Sequence, residues 1–82
     1  MTLAQADRLR WIINDLAKVK DSPSQVMREN MKPYSQEDVY KASEYIQKII
    51  ERDDGCEAFQ IIGAYNTAGP MMVMKKVKEL DI

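Results

Sequence analysis

The chain has no histidine, one cysteine, one tryptophan, one phenylalanine and only three glycines and three prolines in 82 residues. Each scarcity excludes something. Without histidine there is no ordinary general base at neutral pH, no imidazole metal ligand and no side chain whose unperturbed charge switches near pH 6.5. With Cys56 alone, no internal disulfide forms and no zinc site can be built from cysteines. No leader-like segment opens the chain, so a reducing, cytoplasmic setting is expected. The longest uncharged run covers residues 58–74, and Gln60, Asn66, Thr67, Gly69 and Pro70 interrupt it. A membrane span is therefore not expected.

Neither sign of charge dominates. Twelve basic residues stand against thirteen acidic ones, for a net charge of −1. A protein that neutralises several phosphates usually concentrates a basic surplus on one face. Apolar residues make up 45% and charged residues 30%, the balance of a folded globule rather than a disordered chain. A chain of this size has room for one core, so a single helical domain over residues 1–82 is expected. It buries only about 60–65% of its unfolded surface, and its own stability is modest.

Helix-start signals recur from end to end. Thr2-Leu3-Ala4-Gln5, Ser22-Pro23-Ser24-Gln25, Ser35-Gln36-Glu37-Asp38 and Asp54-Gly55-Cys56-Glu57 all resemble capping boxes. In each, a cap oxygen faces the N3 amide and an N3 side chain can reach back. Gly69-Pro70 supplies a fifth start, with proline at N1 where its missing N–H costs nothing.

Between these signals, apolar residues fall at helical spacing. Residues 3–20 place Leu9, Ile12, Ile13, Leu16 and Val19 on one stripe, with Trp11 off it. Residues 23–31 form a short helix with Val26, Met27 and Met31 inward, closed at Lys32-Pro33. Tyr34 is positioned to staple onto Val39. Residues 36–52 carry Val39, Ala42, Ile46, Ile49 and Ile50, supported by Glu37–Lys41 and Glu44–Lys48 pairs. Residues 56–65 are apolar on most sides, as in a central or shared helix, and Gly63 is expected to admit a neighbouring helix. Residues 70–80 line up Val73, Met74, Val77 and Leu80, leaving Met71 and Met72 outside. The fold expected is all-α: a compact orthogonal or irregular bundle of four to five short helices.

Catalytic equipment is sparse. Glu51, Asp53, Asp54 and Glu57 cluster at one turn, but without the alternate spacing of a calcium loop. They are expected to serve as a solvated, capping turn. Cys56 has no histidine to activate it and is expected to be packed and inert. A helix-turn-helix over residues 23–52 would push Glu37 and Asp38 toward DNA, which phosphate repulsion opposes. No metal or cofactor is expected.

Apolar and aromatic residues nevertheless fall off the stripes: Trp11, Tyr40, Phe59, Met71 and Met72. Trp11 has two readings, a second internal contact or an anchor for a partner. The expectation drawn from these five is a non-enzymatic protein that binds another protein and self-associates, as an inhibitor, adaptor or regulator. Such a role would suit a phage or mobile-element protein. One alternative is nucleic-acid binding through Arg8, Arg10, Lys18 and Lys20 with Trp11 interleaved. Another is sequestration of a nucleotide or metabolite in a pocket lined by Tyr34, Tyr40, Tyr45 and Tyr65.

Overall fold

A computed structural model describes residues 1–19 and 25–81. Lys20, the start signal at residues 22–24 and the side chains of Val19, Val26 and Met27 lie outside the described residues. Among those described there are five helices and no strand: α1 (Leu3–Val19), α2 (Gln25–Met31), α3 (Gln36–Glu51), α4 (Gly55–Ala68) and α5 (Pro70–Leu80).

The start signals act much as their chemistry requires. At α1, the Gln5 amide donates to Thr2 Oγ1 at 3.1 Å, and Gln5 Oε1 accepts from the Thr2 amide at 2.9 Å. At α3, Ser35 and Asp38 make the same reciprocal pair at 3.1 and 2.9 Å. At α4 only half of the expected box forms. Asp54 Oδ1 accepts from the Glu57 amide at 3.1 Å, but Glu57 does not reach back. Its carboxylate takes the Tyr45 hydroxyl at 2.9 Å and the Arg52 guanidinium at 2.7 Å. The Asp54 amide is already committed to the Ile49 carbonyl, so Glu57 is free to bind across to α3.

That amide belongs to the motif that ends α3. Asp54 N–H bonds to Ile49 and Asp53 N–H to Ile50, a Schellman pattern in which the C′ residue is left-handed. Asp53 fills that role at φ 56°, where glycine is usual. Its carboxylate meets the Met1 amino group at 2.6 Å, pinning the start of α1 to the α3–α4 corner. At the other end of α4 a single residue, Gly69, links to α5. It has φ 74° and ψ −157°, a region open essentially to glycine.

One hydrophobic cluster joins all five helices. Leu9, Ile12 and Leu16 of α1, Met31 of α2, Val39, Ala42, Ile46 and Ile49 of α3, Ala58 and Ile61 of α4, and Val73, Met74 and Val77 of α5 are buried in it. Among the described residues no polar or charged side chain is buried. Each large aliphatic there contributes about 1.5–3 kcal/mol by leaving water, so the stripes hold the bundle. The Cα radius of gyration is 12.0 Å, close to the roughly 12 Å of a well-packed chain this long. The expected stripes of α1, α3 and α5 match the buried set wherever their side chains are described, with Ile13, Ile50 and Leu80 at its partly buried margin. α4 runs three residues beyond its expected end. Thr67 Oγ1 donates to the Gly63 carbonyl at 2.8 Å and Asn66 accepts from Arg8 at 3.2 Å, which carries the helix to Gly69.

Candidate functional site

α4 faces the core with Ala58, Ile61, Ile62 and Tyr65. At about 100° per residue, its opposite side carries Cys56, Phe59, Gln60, Gly63, Asn66 and Thr67, all exposed. This side holds no charged residue over three turns. The one ionised group of the helix, Glu57, is turned toward α3 by Tyr45 and Arg52.

Phe59 stands on this face with 72% of its surface exposed. Beside it runs an open groove of about 390 Å³ between α4 and α5, walled by Phe59, Gly63, Ala64, Thr67, Met72 and Lys76 among others. The groove is mostly apolar, with the Lys76 ammonium stem at its edge. A phenyl ring, small side chains and a thioether offer contact area, and Lys76 supplies the one charge of the lining.

Two expectations about α4 are corrected here. Gly63 does not admit a neighbouring helix within the chain: a Cβ built on it meets nothing within 4 Å among the described residues. Cys56 is exposed rather than packed. Both follow from a helix apolar nearly all round. Ala58, Ile61, Ile62 and Tyr65 win the inward side, and Cys56 and Gly63 fall opposite them.

Of the five residues expected to meet a partner, the structure brings two together, Phe59 and Met72. Met71 is partly buried against the core, about 100° around α5 from Met72, so the two methionines do not form one edge. Tyr40 is 66% exposed on α3, away from this groove. Trp11, 52% exposed, belongs to the α1–α4 seam. There the Tyr65 hydroxyl donates to Asp15 Oδ2 at 2.9 Å. Burial raises the Tyr65 pKa above its ordinary value, the facing Trp11 side chain lowers it through a hydrogen bond, and Asp15 raises it again. Trp11 thus has both an internal contact and a free surface.

The cations of α1 are partly engaged. Arg8 bonds to Asn66 and lies 5.1 Å over the Tyr65 ring. Arg10 pairs with Asp7 at 3.2 Å. Lys18 is exposed, and Lys20 is outside the described residues.

The four tyrosines do not share a pocket. Tyr65 sits at the α1–α4 seam, Tyr34 lies under Lys78 at 5.0 Å, and Tyr40 is on open surface. Tyr45 lines a separate α3-side groove with Lys41, Glu44, Lys48, Arg52 and Asp81. Burial, then the Glu57 carboxylate, push the Tyr45 hydroxyl up to about 12. Among the described residues no group of three or more Cys, Asp or Glu is placed to hold a metal. In the acidic turn, Asp53 holds the Met1 amine, Asp54 caps α4 and Glu57 binds Arg52. No helix among the described residues is long and apolar enough to cross a membrane.

The residues missed from sequence are Gly63, Ala64, Thr67 and Lys76. For Gly63 and Thr67 the signal was available as a row: Cys56, Phe59, Gly63 and Thr67 share one side of α4, and no charge falls among them. Comparison with protein-family models, with curated proteins and with solved structures finds no match.

Proposed function

We propose that this chain is a small non-enzymatic protein that acts by binding another protein, as an inhibitor, adaptor or regulator, through the outward side of α4 and the α4–α5 groove. One observation carries the proposal. In a chain where 30% of residues are charged, α4 places none of its own charges on its solvent side and presents Phe59 beside a mostly apolar groove with Lys76 in its wall. Interface centres are depleted of charge and enriched in aromatics and methionine, which is the chemistry found here. Scattered exposed apolar residues need no explanation, whereas an aromatic set beside a groove on an uncharged face does.

The nucleic-acid alternative has less support. Arg8 and Arg10 already face Asn66, Tyr65 and Asp7, and the net charge is −1.

The test is capture from an extract of the native host with two baits, the natural chain and Phe59→Lys. Phe59 touches solvent over most of its surface, so the substitution leaves the core intact. The expected result is a protein retained by the first bait and lost from the second. Identical protein sets on both baits would overturn the assignment of this face.

A further inference from the structure

We infer that the α4–α5 groove receives an amphipathic helix of another protein, one whose apolar row is flanked by carboxylates. The inference rests on the protein-binding reading of the same face and names the chemistry of the partner.

Charge is the first argument. α4 turns none of its own charges outward, and two cations border its outward row, one on each side. On the α5 side Lys76 stands half-buried in the groove wall with Gly63 and Ala64. On the α1 side Arg8 donates to Asn66 Oδ1 at 3.2 Å through one nitrogen and keeps further N–H groups for a second acceptor. Among the described residues neither cation pairs with a carboxylate. The acids that could answer them are engaged elsewhere or do not reach. Asp7 holds Arg10, Asp15 accepts from Tyr65, and Glu57 binds Tyr45 and Arg52. Glu79, three residues after Lys76, is exposed and makes no ion pair with it. A basic partner would meet like charge on both borders, and a neutral one would leave both cations unanswered. A partly shielded ammonium gains more from an arriving carboxylate than a fully solvated one does.

Shape is the second. The backbone groups of α4 are bonded within the helix, so the face has no edge for a strand to join. It has a row about 21 Å long, which matches about four turns of a helix laid along it. Phe59 and Met72 supply the apolar contacts. At Gly63 a Cβ would meet nothing within 4 Å, so a second helix can approach the backbone there with no side chain to hold it off. The groove is open along its length. An acyl chain needs enclosure to leave water, whereas a rod with one apolar side does not.

A single helix on a strip this short falls at the small end of specific interfaces, so the complex is transient, with a dissociation constant on the order of 10 µM.

Selection from a displayed library of helical peptides about 16 residues long tests this. The apolar row is fixed, the flanking positions are randomised, and the full chain is the bait. The expected result is enrichment of Asp or Glu at the flanks on the natural chain and loss of the binders on Phe59→Lys. On Lys76→Glu, one flank should turn to Lys or Arg. For one selected peptide, Lys76→Ala should weaken binding by about fivefold, the worth of a partly exposed ion pair, and the difference should fade in high salt. Circular dichroism melts confirm that each variant is folded. Failure to enrich any peptide overturns the inference, as do flanks without an acidic bias or a selection unchanged by Lys76→Glu. Sedimentation of the natural chain alone adds one more arm: a dimer that Phe59→Lys abolishes gives the face to a second copy and overturns the inference too. Binders with neutral or basic flanks that Phe59→Lys removes would end the acidic partner and leave the protein-binding reading standing. Binders indifferent to Phe59→Lys would end both.

Discussion

Tyr65 donates its hydroxyl hydrogen to Asp15 Oδ2 at 2.9 Å, joining α4 to α1 across 50 positions of sequence. The bond is half-buried, at the edge of an otherwise apolar contact. Tyr65→Phe deletes the donor without opening a cavity, and the expected loss is about 1 kcal/mol, the size of a bond partly shared with water. A double-mutant cycle with Asp15→Ala in urea should recover a coupling of that order. Trp11 fluorescence should shift in Tyr65→Phe, because the indole also faces that hydroxyl.

Ser35→Ala removes the oxygen that caps α3 and is expected to cost about 1 kcal/mol at neutral pH. The same change alters the acid limb. Asp38 lies below its ordinary value of 3.8, chiefly through the Ser35 backbone amide, which alanine keeps, with Lys78, the Ser35 hydroxyl that alanine removes, and Lys41 adding smaller effects. A depressed carboxyl stabilises the fold above the unfolded pKa and loses that contribution as pH falls through the native one. The natural chain should therefore lose stability below about pH 4. NMR titration of the Asp38 carboxyl should follow the same group in both proteins, with its native pKa moving up in Ser35→Ala.

Tyr45 governs the alkaline limb. Its hydroxyl, at about 12 instead of 10.0, is held protonated by burial and by the Glu57 carboxylate. The fold favours the protonated form, so the contribution is complete below pH 10 and is lost as pH rises from there through 12. Tyr45→Phe should flatten the fall in urea midpoint across that interval. The phenolate absorbance rise assigned by difference to Tyr45 should centre near the upper end.

Gly63→Ala and Gly69→Ala should move in opposite directions. Gly63 is helical with open space at its Cβ, and alanine there should raise stability by about 1 kcal/mol. Gly69, at φ 74° and ψ −157°, sits where alanine is strained by about 1–3 kcal/mol. Thermal melts at low micromolar concentration read both.

Most of the fold was legible in the sequence because its helices are amphipathic and capped. Leu9, Ile12 and Leu16, or Val39, Ala42, Ile46 and Ile49, leave one side for the core and no choice about which. α4 is different. Phe59 and Ile61 are both strong apolar residues, and periodicity alone does not say which turns inward. That azimuth is decided by the neighbours, through Tyr65 on Asp15 and Glu57 on Arg52 and Tyr45. Phe59 and Met72 were legible as residues off the stripes. Their proximity was not, since it depends on the one-residue turn at Gly69 that lays α5 along α4. The α4–α5 groove follows from the same turn.

The interior contains only hydrocarbon and thioether among the described residues, and such material attracts without direction. Directional bonds between helices lie on the rim, at Tyr45–Glu57, Tyr65–Asp15, Arg8–Asn66 and Met1–Asp53 among others. Cohesion and uniqueness thus have separate seats in this molecule. Severing these rim bonds together should leave a collapsed, helical, dye-binding particle with blurred methyl resonances, while hollowing the middle should unfold it outright.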